Sequence, residues 1–257
     1  SESAAPRTSC MSLTTQSLKA LQDPSSPPGT RSIACRALVH AIELGVPVPT
    51  GTAMACWQFL LQSGADSCGL RPDLQDRQVA QDAVRILRTR ECSLDQHNLA
   101  YTILQGGNVT YVTEPDLAAI VEVLTDGRAL RIGWLIGRVH EGAGLSLQFL
   151  VTLRDRLAGS TIPEVRSEAP GISSLLPRLD QEFAIRMFQD PVPRVRSALA
   201  SMLEQVEDVD QETALKLVQA HTALEQHRDV LSTCHFALGS LMRSVDRGIR
   251  RKSGVRH

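Results

Sequence analysis

The chain has 257 residues, 42% of them hydrophobic and 21% charged, enough to bury a substantial core in one large domain or two small ones. A formal net charge of −1 gives no whole-molecule attraction to nucleic acid or to acidic membranes. Aromatics are only 4%, so the core must come from Leu, Val, Ile and Ala at helical spacing, and the expected fold class is all-α.

Residues 1–30 carry Pro/Ser-rich patches at Pro6 and at Pro24-Ser25-Ser26-Pro27-Pro28-Gly29, with Leu13, Leu18 and Leu21 between them. We expect a mobile arm or a strap holding at most one short helix. From Thr30 the pattern changes. Ile33, Ala34, Ala37, Leu38, Ala41 and Ile42 predict a helix buried on that face, and Gly45 and Pro47 end it. A second helix follows over residues 52–62 with Met54, Trp57, Leu60 and Leu61 inward.

Residues 76–90 place Val79, Ala83, Ile86 and Leu87 on one face. Ser93 and Gln96 have the spacing of a capping box before Leu99, Ala100, Ile103 and Leu104. Thr113-Glu114-Pro115-Asp116 is a second start signal: a cap, a proline in the first turn and carboxylates near the positive helix end.

Val109 to Val112 is β-prone but short, and Asn108-Val109-Thr110 is a chance match to a glycosylation acceptor. Residues 129–139 are apolar almost throughout and read as a buried strand or a buried helix. Gly133 and Gly137 favour the helix, because four-residue spacing puts both on one face for close packing, whereas they would weaken a strand. A plain amphipathic helix spans 145–157. Residues 159–171 read as a Pro-punctuated linker and the best candidate boundary.

Beyond the linker, residues 178–189 are expected to bury Leu179, Phe183, Ile185 and Met187 or Phe188. Helices over 210–224 and 227–245 follow, then a basic tail. The expected organisation is an arm (1–30), a helical body (31–158), a C-terminal helical subdomain (172–246) and the tail (247–257). Together these make an irregular array of short antiparallel helix pairs, solenoid-like or bundled.

The stretch Asp190-Pro191-Val192-Pro193-Arg194-Val195-Arg196-Ser197-Ala198-Leu199 resembles one helix of a HEAT or armadillo-type repeat. Asp190-Pro191 makes the turn, Pro193 opens the helix, and Val195, Ala198, Leu199 and Leu203 form the ridge. Arg196 takes the place of a polar tie to the preceding turn. The resemblance covers residues 190–203 alone, and we read no second copy. It implies a scaffold that binds other macromolecules.

Three functional readings follow. The first is a non-enzymatic helical scaffold or assembly component that binds a protein partner or copies of itself. The second is a nucleic-acid-packaging protein whose tail, with Arg243, Arg247, Arg250, Arg251, Lys252 and Arg256, would attract phosphate. The third rests on Ala55-Cys56-Trp57-Gln58-Phe59, which resembles the nucleophile segment of papain-like cysteine hydrolases. That resemblance implies Cys56 as nucleophile and His140 as base, and a helix start favours a thiolate. The residues by themselves read as an apolar Cys and Trp on a buried helix face, and that is what we expect.

No cofactor or metal site is expected. His221, His227 and His235 lack a one-turn spacing, and the glycine-rich stretches lack a phosphate-binding fingerprint. Six cysteines without a CxxC pair suit a reducing, cytoplasmic compartment, and the arginine skew suits a GC-rich genome. No apolar run is long enough to span a membrane.

Overall fold

A computed structural model describes residues 5–63, 74, 76–105, 108–124, 132–206 and 210–252. All secondary structure among the described residues is helical. The chain divides into two compact units, 1–123 and 124–257.

The first unit opens with α1 (Ala5–Gln22), followed by α2 (Pro28–Glu43) and α3 (Thr52–Ser63). The expected arm is therefore a helix. Leu18 and Leu21 are buried and α1 packs on α2 and α3, because two leucines three residues apart suffice to anchor one face. In α2 the buried set is Ala34, Cys35, Leu38 and Val39, while Ile33 is 70% exposed. The buried face lies one residue further round than the periodicity indicated, with Cys35 serving as a small apolar residue. Gly45 ends the helix at φ 66°, a conformation open to glycine without a Cβ clash, and Val46 N–H reaches back to the Ala41 carbonyl.

α4 (Arg77–Leu87), α5 (Leu94–Gln105) and α6 (Glu114–Glu122) complete this unit. Asp76 caps α4 through the Gln78 and Val79 amides. Ser93 and Gln96 exchange side-chain and backbone bonds at 3.0 and 3.1 Å, forming the expected capping box. Thr113 and Asp116 form a second one. The β-prone 109–112 stretch is one 3-10 turn, Asn108–Tyr111, with Val109 and Val112 buried. Four residues are too few to sustain a ladder without a partner strand. Trp57 is fully buried, and its indole N–H donates to Asp82 Oδ2 at 2.8 Å, tying α3 to α4.

The second unit contains α7 (Ile132–Ala143), α8 (Leu147–Ala158), α9 (Pro163–Arg166), α10 (Ala169–Ser173), α11 (Gln181–Phe188), α12 (Pro193–Leu203), α13 (Gln211–Thr222) and α14 (Arg228–Lys252). The ambiguous 129–139 stretch is helical from Ile132, and residues 129–131 lie outside the described set. Gly133 and Gly137 face α10, as their spacing indicated: Cβ atoms there would stand 3.0 Å from Glu168 Oε2 and 3.8 Å from Leu175. One layer runs α7, α10, α12, α14, each packed on the next. Against it lie α8, α11 and α13, packed respectively on α10, α12 and α14.

Residues 159–171, expected to be a linker, instead lie inside this unit as α9 and α10, with Val165, Ala169 and Pro170 buried. The unit boundary falls after Val123, not within that stretch. Ile185 also departs from expectation at 48% exposure, because α11 turns Phe183, Ala184, Met187 and Phe188 inward.

Candidate functional site

Three buried or half-buried arginines organise the second unit. Arg154 on α8 is 4% exposed; its Nη1 donates to Asp180 Oδ2 at 2.8 Å and its guanidinium lies 4.4 Å from the Phe183 ring centre. Arg166 on α9 makes a two-pronged contact with Asp190, at 2.7 and 3.1 Å, and gives Nη1 to the Ser160 carbonyl. Arg196 on α12 repeats that arrangement: two prongs to Glu225, at 2.6 and 2.9 Å, and Nη1 to the Asp190 carbonyl at 2.7 Å.

The two tied segments share a short string. Pro163-Glu164-Val165-Arg166-Ser167 and Pro193-Arg194-Val195-Arg196-Ser197 share Pro, Val, Arg and Ser in register, and each opens a helix with a buried valine. Each arginine ties its own preceding turn to a carboxylate further along the chain. Planar guanidinium suits this role, because it meets a carboxylate bidentately and keeps a donor for the backbone.

The last rung borders the most apolar concavity among those described. A groove of 530 Å³ lies between α11 and α13, lined by Ile185, Phe188, Leu217 and Leu224 with Arg196, His221 and Glu225. Leu224 is 80% exposed at its rim. The His221 ring stacks on Phe188 at 4.0 Å between centres, and its Nε2 lies 2.9 Å from Glu225 Oε2. Burial pushes the imidazole pKa below its ordinary value, so the neutral ring donates its Nε2 proton to the carboxylate.

Glu225 also accepts the Gln226 and His227 amides, and its pKa falls to about 2, chiefly through Arg196. On this floor Arg196 and His221 are both tied to Glu225, and Arg196 also reaches the Asp190 carbonyl.

A second groove, 520 Å³, crosses α7, α10 and α12 over Gly133, Gly137, Gly171 and Ala198. Glu168 accepts the Gly133 amide there at 3.1 Å, and burial raises its pKa.

Of the two residues in the hydrolase reading, Cys56 lies in the second turn of α3, in the first unit, with no exposed surface. His140 lies near the end of α7 in the second unit, with Nδ1 buried and without a hydrogen-bond partner. Of the basic residues, Arg243 and Arg247 stand exposed on α14. The backbone helix continues through Arg250, Arg251 and Lys252, and Arg256 lies outside the described residues.

Among the described residues, no group of three His, Cys, Asp or Glu is placed to hold a metal ion, and no helix is long and apolar enough to cross a membrane. Nothing matches this chain among protein-family models, curated proteins or solved structures.

Proposed function

We propose that the chain is a non-enzymatic helical scaffold that binds a protein partner through the groove between α11 and α13. One observation carries the reading: an apolar rim, with Ile185 48% and Leu224 80% exposed, stands over a floor where Arg196 and His221 are both tied to Glu225. Exposed aliphatic side chains beside a concavity of this volume suit an apolar side chain from another protein. The recurring arginine ties support an array of helix pairs like those of HEAT-type repeats, in which each pair contacts its neighbours and the surface is left for recognition.

The test is light scattering coupled to size exclusion, together with affinity capture from the native host, on the parent chain, Leu224→Glu and Lys216→Glu. Leu224→Glu should abolish the captured complex or the self-association, and Lys216→Glu should leave it intact. A strict monomer with no captured partner, or a complex indifferent to Leu224→Glu, would overturn the reading.

A further inference from the structure

The arginines of the second unit fall into two groups. Arg154, Arg166 and Arg196 are spent on carboxylates. Arg243 and Arg247, on the solvent side of α14, make no ion pair among the described residues. At 3.6 residues per turn, positions 236, 243 and 247 fall within a stripe about 40° wide. That stripe lies roughly 130° from the one formed by buried Val230, Cys234, Ala237 and Leu241.

Phe236 therefore shares the outward stripe, and it is 66% exposed. Both guanidinium groups fold toward it along the helix. Arg243 Nη1 would lie 3.4 Å from a Cβ at Gly239, one turn after Phe236. Arg247 donates Nε to the Arg243 carbonyl at 3.2 Å and Nη2 to Ser244 Oγ at 3.1 Å. An open aromatic ring, a glycine that leaves room beside it and two uncompensated guanidinium groups follow in line. Asp229 marks the far end, and Asp246 is the one acid among Arg243, Arg247, Arg250, Arg251, Lys252 and Arg256.

We propose that this face of α14 binds single-stranded nucleic acid, a base stacking on Phe236 and successive phosphates meeting Arg243 and Arg247. The ring tells against a purely electrostatic contact, because stacking needs an unpaired base with a free face. A lipid surface fits less well. Interfacial binding scales with buried apolar area, and this stripe offers one ring between Thr233 and Arg243, with Gly239 and Ser240 in between. This proposal is independent of the α11/α13 groove.

The experiment is fluorescence anisotropy of the full chain with labelled single-stranded RNA, single-stranded DNA and duplex DNA of equal length, across a salt series. Single strands should bind better than duplex. Phe236→Ala should weaken single-strand binding about fivefold or more, and Phe236→Trp should restore it. Arg243→Gln with Arg247→Gln should weaken binding and reduce the log–log salt slope by about 1.4. RNA and DNA arms that differ would identify which strand is the ligand. The proposal is overturned if Phe236→Ala binds like the parent while Phe236→Trp also changes nothing, or if duplex binds as well as single strands. Phosphatidylserine vesicles binding where oligonucleotides do not would overturn it too. Circular dichroism of each variant separates lost binding from lost folding.

Discussion

Glu225 shows what one carboxylate can do when its surroundings are complete. It gathers Arg196, His221 and two backbone amides while its side chain keeps 4% of its exposure. Its folded pKa of about 2 lies below the unfolded value of 4.5, so its contribution to stability is present above pH 4.5 and is lost as pH falls toward 2. Glu225→Gln should cost about 3 kcal/mol at neutral pH, because it leaves Arg196 without its counter-charge. The cost should shrink below pH 3, as urea unfolding at both pH values would read. Glu168 has the opposite sign. Burial raises its pKa, so stability falls as pH rises from the ordinary carboxylate value through the raised one. Glu168→Gln keeps an acceptor for the Gly133 amide and removes a half-buried charge, so neutral-pH unfolding should show no loss of stability. Cys56 makes a kinetic prediction: Cys35, Cys56 and Cys234 are buried and Cys92 is not, so iodoacetamide should modify Cys92 first among these four in native protein, by peptide mass mapping.

At the scale of elements, signals carried within a few residues were legible and those carried across tens of residues were not. The Ser93/Gln96 and Thr113/Asp116 boxes are local exchanges between a cap and the third residue after it, and both formed where the sequence placed them. The helix at Ile132 follows from the glycine spacing that places Gly133 and Gly137 against α10. The arginine tie at Arg166 was missed because Pro170 and Gly171 interrupt its helical periodicity, leaving the segment to read as linker. Its partner Asp190 lies 24 residues away, and the partner of Arg196 lies 29 residues away. The shared Pro-x-Val-Arg-Ser string was the available signal. The face of α2 was misjudged for another reason: Ile33 was counted as core for its apolar side chain, but Cys35 and Val39 fill the interior instead. The candidate groove was legible only in part. Phe188 was read as a candidate core residue, while the depth of the groove depends on Glu225 and His221 meeting Arg196 in three dimensions. Gly133→Ala tests the close approach at this scale. A methyl group 3.0 Å from Glu168 Oε2 forces that side chain to shift, so the melting temperature should fall, and Gly133→Ala combined with Glu168→Ala should fall by less than the sum of the single changes.

The molecule as a whole is two units, each with leucine-rich faces turned inward within its own segment. The second unit holds Leu150, Leu153, Leu157, Ile172, Phe183, Leu199, Leu203, Val218 and Leu241 among its buried residues. All three arginine ties close inside it. A unit that satisfies its own buried charges and packs its own core has what independent folding requires, and a segment of this length is within the ordinary range for a domain. Residues 124–257 expressed alone should therefore give a helical circular dichroism spectrum and a cooperative melt, and should keep the Glu225 acid dependence described above. Arg196→Met with Glu225→Gln in that fragment removes the charge pair but keeps an acceptor for His221 and for the Gln226 and His227 amides. Replacing a buried pair by uncharged residues of similar volume is often neutral or stabilising, so this double variant should melt close to the parent fragment, whereas Glu225→Gln alone, which leaves Arg196 unpaired, should melt well below it. If the fragment is unfolded, or if the double and single variants melt alike, the second unit does not hold itself together through its own core and ties.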